Sequence, residues 1–114
     1  MLEFIEFPVF TNRLLALARD RADEVLLEIQ SDLLENPERG RLIQGTAGVR
    51  KGRVADPMRG KGKSGGFRYM YYYIEQDGQL FLLMIFSKNE QADLTGVQRK
   101  TLKQAILNLR EARK

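Results

Sequence analysis

Seven basic residues fall between positions 50 and 68: Arg50, Lys51, Arg53, Arg59, Lys61, Lys63 and Arg68, with one acid, Asp56, among them. The window carries +6 while the whole chain carries +4, so everything outside it sums to −2. Positive charge this concentrated calls for a polyanion or belongs to a solvated loop. Residues 49 to 54 read as a strand, whose two-residue side-chain period sets Lys51 and Arg53 on one face and Arg50 with Val54 on the other. Two like-facing cations then stand about 7 Å apart, on the order of the spacing between successive phosphates of a nucleic-acid strand.

The residue types also exclude chemistry. The chain has no histidine and no cysteine, so zinc sites built on them, Ser-His and Cys-His pairs, thiolates and disulfides are all out of reach. A magnesium-dependent nuclease needs converging carboxylates, and Asp56 stands alone amid cations. No metal and no cofactor is expected, and any catalysis must use Lys, Arg, Tyr or a carboxylate. The glycine-rich stretch from Arg59 to Gly66 reads as a basic loop that can cradle phosphate. It lacks the full spacing of a nucleotide-binding P-loop.

The elements that must position these groups follow from the pattern on either side. A chain of 114 residues with 43% apolar content suits one compact domain, residues 1–114. Leu2 to Val9 reads as a first strand, with Thr11 capping a helix over residues 12–18 and Asp20 capping the next. In that second helix Ala22, Val25, Leu26, Ile29 and Leu33 form an apolar stripe, and Asn36-Pro37 ends it. Strands at residues 49–54 and 67–74 bracket the basic loop. Asp77-Gly78 predicts a two-residue hairpin turn, which would pair Tyr73 with Leu82, Tyr71 with Met84 and Arg68 with Ser87. Thr95 and Gln98 match a capping box at the head of a last helix near residues 96–112. The order is β-α-α-β-β-β-α, an α+β fold with a small, mainly antiparallel sheet, two N-terminal helices and a C-terminal helix. The apolar start is short and carries Glu3 and Glu6, unlike a signal peptide, and no run is long enough to span a membrane. The expected setting is therefore cytoplasmic.

Four motifs, Gly48-Val-Arg-Lys-Gly-Arg-Val-Ala55, Gly60-Lys-Gly-Lys-Ser-Gly-Gly-Phe-Arg68, Tyr71-Tyr-Tyr73 and Phe86-Ser-Lys-Asn-Glu90, occur in an order that resembles the HigB-like branch of the RelE/ParE toxin superfamily. The resemblance implies a RelE-like fold and a toxin of a toxin-antitoxin pair. Such a toxin is a ribosome-dependent, metal-independent endoribonuclease, an mRNA interferase that inhibits translation. It also implies a cognate antitoxin, a DNA-binding HigA-like protein through which alone the pair meets operator DNA. That antitoxin would cover the basic groove or pack on the opening helices. Carried over, Lys51 and Arg53 match the basic strand positions aimed at the scissile phosphate, Arg68 the strand-start arginine that binds it, and Lys88 a basic residue at the end of the next strand. Asn89 and Thr95 stand where RelE-like enzymes have an arginine and a tyrosine. The alternatives are a ParE-like inhibitor of DNA gyrase and a non-catalytic RNA-binding module.

RNA supplies its own nucleophile, the 2′-hydroxyl, so the protein need only align it, accept its proton, neutralise the phosphorane and assist the leaving oxygen. Arginine stays protonated. Lysine can accept a proton where neighbouring cations disfavour its charge, so Lys51 is the candidate base, Arg53 and Arg68 the phosphate clamps and Lys88 the acid. Glu90 is an alternative base. Arg50, Arg59, Lys61 and Lys63 are candidate RNA contacts, and Tyr69 or Tyr71 offers a ring for stacking on a base.

Overall fold

The structure, a computed structural model, describes residues 2–59 and 65–113. Lys61 and Lys63 lie outside the described residues. In chain order come β1 (Glu3–Glu6), α1 (Pro8–Ala18), a 3-10 turn (Arg19–Arg21), α2 (Ala22–Glu35), β2 (Arg41–Leu42) and β3 (Arg50–Val54). Then follow β4 (Phe67–Ile74), a 3-10 turn (Glu75–Asp77), β5 (Gln79–Ser87) and α3 (Gly96–Ala112). The sheet runs β1-β5-β4-β3-β2. β1 is parallel to β5 and every other pairing is antiparallel.

Both helix starts at the N-terminal end differ from expectation. The first strand stops at Glu6, and α1 begins at Pro8, because proline lacks the amide that a first helical position leaves unbonded anyway. Thr11 therefore lies inside α1, its hydroxyl donating to the Glu6 carboxylate at 2.7 Å. Asp20 sits within a 3-10 turn, and α2 starts at Ala22 with no side-chain cap. Asp23 and Glu24 do occupy its first turn, where acids suit the helix dipole. Ala22, Val25, Ile29 and Leu33 are buried as the stripe requires. At α3 the capping box is complete, with Thr95 Oγ1 accepting from the Gln98 amide at 3.1 Å and Gln98 Oε1 accepting from the Thr95 amide at 3.0 Å.

The hairpin register also differs. A three-residue 3-10 turn closed by Gly78 in the left-handed region (φ 63) replaces the two-residue turn. Tyr73 pairs with Leu80 and Tyr71 with Leu82. An irregularity between Met70 and Tyr71 then shifts the ladder, so that Met70 faces Met84 and Arg68 faces Phe86. The extra residue on β5 flips the faces beyond it. Ile85 joins Tyr69 and Tyr71, and Phe86 joins Met70.

Helices cover both faces of the sheet. On one, Phe10 and Leu14 of α1 and Val25, Ile29 and Leu33 of α2 pack on Tyr69, Tyr71, Leu80, Leu82 and Ile85. On the other, Leu102 and Ile106 of α3 pack on Met70, Phe81, Leu83 and Phe86. Burying each large apolar side chain contributes about 1.5–3 kcal/mol, so the two clusters fix the sheet between its helices. Among the described residues no helix is long and apolar enough to cross a membrane.

Candidate nucleic-acid interface

β3 sits between β4 and the short β2, and its register sets the site. Lys51 is opposite Met70 on one side and opposite Arg41 on the other, while Arg53 is opposite Arg68. Facing residues in an antiparallel ladder share a face and lie about 4.5–5.5 Å apart. Arg41, Lys51, Arg53 and Arg68 therefore gather on the α3 side of the sheet. Like charges directly opposite one another repel, so the Arg53–Arg68 rung is a local cost that an anion would relieve.

Two glycines let the backbone come this close. A Cβ on Gly52 would stand 2.3 Å from Cζ of Tyr69, and one on Gly66 would stand 2.1 Å from the Val54 carbonyl oxygen. The first glycine lets β3 lie over the Tyr69 ring. The second brings the end of the basic loop against β3, where Arg68 follows two residues later.

The cations differ in their surroundings. Arg68 is only 7% exposed. Burial, and then the charge of Arg53, pushes its pKa below the usual arginine value, although a guanidinium stays protonated. Lys51 Nζ is 3.4 Å from Asp93 Oδ1, and Arg99 Nη2 is 3.3 Å from Asp93 Oδ2. The Leu94 amide donates to Asp93 Oδ1 at 2.8 Å. That bond holds the Asp93 carboxyl below its ordinary pKa, with a further contribution from Lys51. Arg50 lies on the opposite face, as alternation along the strand requires, so the like charge nearest Lys51 on its own face comes from Arg53 and Arg41, and an acid reaches Lys51 as well.

The other candidates are placed as follows. Lys88 is exposed, one residue past β5, with its amide donating to the Gly66 carbonyl at 3.3 Å. It stands at the rim of the site. Arg50 Nη1 donates to the carbonyls of Glu38 and Gly40 at 3.0 and 2.7 Å, clasping the loop before β2. Arg59 pairs with Asp56 at 3.5 Å, and its guanidinium lies against the Asn89 side-chain amide, whose oxygen accepts from it once the amide is turned over. Glu90 accepts from the Ser87 amide at 2.8 Å and is ion-paired to Arg13, so it braces the end of β5. The stacking role expected of Tyr69 and Tyr71 is corrected. They are 1% and 0% exposed beneath α1 and α2, which leaves no ring face for a base. Burial raises the pKa of both phenols above 10.0.

Two residues of the site escaped the sequence reading. Arg41 lies in a strand of two residues, too short to show a period. Asp93 meets Lys51 across 42 positions, a contact visible only in the folded chain. A cleft of about 330 Å³ runs along the β2–β3 edge toward α2, lined by Arg39, Arg41, Lys51 and Arg53 with Asp32 of α2, Gly52 and an edge of Tyr69. Among the described residues no group of acids could hold a metal ion.

No family profile matches the chain. Solved structures do match. The isolated Escherichia coli RelE toxin is 16% identical, with a TM-score of 0.55 over 92% of this chain and 99% of that one. The intact E. coli RelBE toxin-antitoxin complex matches at 15% identity and TM-score 0.55, covering 76% of this chain and 96% of that chain. The archaeal RelE-RelB complex from Pyrococcus horikoshii OT3 matches at 16% identity and TM-score 0.52, covering 79% and 98%. An α+β chain with its basic rungs on one sheet face, and alike over 76–92% of its length to these structures, has the RelE fold.

Proposed function

We propose that this protein is the toxin of a toxin-antitoxin pair, a ribosome-dependent endoribonuclease that cleaves messenger RNA through the RNA's own 2′-hydroxyl. The observation that carries the reading is the rung of Arg53 opposite Arg68, with Lys51 two residues along the same strand. Fixed cations at that spacing match the charge that develops on a phosphorane. In this reading Arg53 and Arg68 hold the non-bridging oxygens, Lys51 faces the 2′-hydroxyl and Lys88 serves the leaving 5′-oxygen from the rim. Arg59, and Lys61 and Lys63 in the basic loop, extend the positive field toward incoming RNA. A cognate antitoxin that also binds operator DNA keeps the protein inactive, as the pairing of RelE-type chains with RelB in the matched complexes suggests. The HigB-like subtype and a HigA-like antitoxin rest on the motifs alone.

The test is a translating extract with primer-extension mapping of message ends. Wild-type protein should cut messages only while they are translated, and Lys51→Ala or Arg68→Ala should stop cutting without loss of the native circular-dichroism spectrum. Unaltered cutting by both variants would overturn the site. Intact messages together with inhibited gyrase supercoiling would overturn the reaction and favour a ParE-like inhibitor. Salt-sensitive binding of free RNA without cleavage would reduce the protein to a binding module.

A further inference from the structure

Among the described residues, Arg41, Arg53 and the rim residue Lys88 take part in no ion pair, and of these Arg41 and Arg53 lie on neighbouring strands. Lys51, Arg50, Arg59 and Arg99 are each paired to a carboxylate, and so is Arg39, to Asp32 at 3.5 Å. Arg41 is exposed and sits directly across from Lys51. β2 pairs only with Arg50 and Lys51, so β3 has an open edge from Gly52 onward. The 330 Å³ cleft lies along that edge, with Arg53 and Arg41 both in its lining. Its one acid is Asp32, already tied to Arg39. A smaller cleft beside Lys51 is lined by Arg41 as well and holds the Asp93 carboxylate, which is already paired to Lys51 and Arg99. A strand gripped at Arg53 can therefore continue past Lys51 toward Arg41, an exposed cation that lines both clefts.

We infer that Arg41 binds the phosphate next to the one held by Arg53 and Arg68, so that the site reads two successive linkages of a single strand. The inference rests on the proposed RNA cleavage and deepens it. Arg41 stands across from Lys51, two residues from Arg53 along the ladder, so the two are offset by about 7 Å along the strands and about 4.8 Å between them, a span that two flexible guanidinium side chains on successive phosphates can bridge. An arginine on a short edge strand with no partner to lose can turn toward an anion at little structural cost.

The experiment pairs a protein change with a chemical change in the message. Messages are prepared with one uncharged methylphosphonate linkage immediately 5′ or 3′ of the mapped cleavage point, and their cleavage on ribosomes is timed with wild-type protein, Arg41→Ala and a charge control, Lys103→Ala. Neutralising one of the two flanking linkages should slow wild-type and Lys103→Ala protein about tenfold, as loss of one charge-assisted contact does. Arg41→Ala should start about tenfold slower, and the same neutral linkage should then cost it less than about twofold, because the contact is already gone. Arg41→Lys should recover part of the loss. Losses that multiply independently, or wild-type speed in Arg41→Ala, would overturn the inference while leaving the cleavage reading intact. Wild-type protein that cuts no message would overturn both together.

Discussion

Lys51 and Asp93 meet 3.4 Å apart across the mouth of the sheet, joining the strand that carries the site to the loop that caps α3. The same carboxylate binds Arg99 of α3. Asp93 thus fixes where the lysine points and anchors the helix that roofs this face. Asp93→Asn keeps an acceptor for the Leu94 amide but removes the charge. Its folding stability should fall by less than about 1 kcal/mol, the usual worth of exposed pairs, while message cleavage falls more steeply through kcat. Urea unfolding and single-turnover cleavage together check this. Because the folded carboxyl lies below its ordinary 3.8, the stability it adds is present above that value and is lost as pH falls through the depressed one. The wild-type and Asp93→Asn unfolding curves should converge at strongly acidic pH.

Arg68 is the most buried of the site cations, and its fork geometry matters more than its charge. Arg68→Lys keeps a cation but loses the paired donors that fit a phosphate. Cleavage should drop about 10²-fold, as removal of one transition-state donor does. Equal activity in wild type and Arg68→Lys would show that only charge is used.

Much of this arrangement can be read from the sequence where a period or a charge imbalance was long enough to see. The aromatic and β-branched run marks β4 at its observed limits, Phe67–Ile74, the apolar stripe marks the buried face of α2, and alternation alone puts Lys51 and Arg53 on one face. What escaped reading has physical causes. The extra residue in β5 leaves no compositional trace, yet it exchanges the faces of Ile85 and Phe86. Asp77-Gly78 signals a turn but not its length, since a left-handed glycine closes a 3-10 turn as well as a two-residue one. Tyr69 and Tyr71 looked available because aromatic residues serve cores and RNA surfaces alike. Gly52, beneath which the Tyr69 ring is tucked, decides for the core.

That close approach makes Gly52→Ala a sharp test of packing. The added methyl would meet ring atoms of Tyr69 at 2.3–2.7 Å, and Tyr69 is locked by the core around it. The variant should lose about 1–3 kcal/mol or more, measured by urea denaturation. Gly96→Ala, where a Cβ meets nothing within 4 Å, should be neutral or slightly stabilising.

Tyr71 links the core to the proposed RNA track. Its hydroxyl donates to the Pro37 carbonyl at 2.9 Å and accepts from the Gly40 amide at 2.9 Å, holding the loop that leads into β2 and Arg41. Tyr71→Phe leaves both backbone groups without that partner and should cost about 1–3 kcal/mol. Burial holds the folded pKa of Tyr69 and Tyr71 above 10.0, so the unfolded chain gives up these protons first. The stability they contribute is complete below about pH 10 and is lost as pH rises toward the folded values. Denaturation midpoints measured from pH 8 to 11 should fall for wild type and fall less for Tyr71→Phe.

Glu90 separates a catalytic carboxylate from a structural one. It receives the Ser87 amide and the Arg13 guanidinium, and Arg13 Nε also donates to the Ile85 carbonyl at 3.0 Å. Two neighbouring points on the end of β5 are thereby tied to α1, on the far side of the sheet from Arg53 and Arg68. A carboxylate occupied in this way has little freedom to take a proton from a 2′-hydroxyl. Glu90→Gln keeps an oxygen for the Ser87 amide and should cut messages within about threefold of wild type, whereas loss of a general base costs about 10²–10⁴-fold. Arg13→Ala should mimic its small loss of stability, and the two changes combined should cost less than their sum. A fall of 10²-fold or more in Glu90→Gln, with unfolding unchanged, would make this residue the base and leave Lys51 as a phosphate contact.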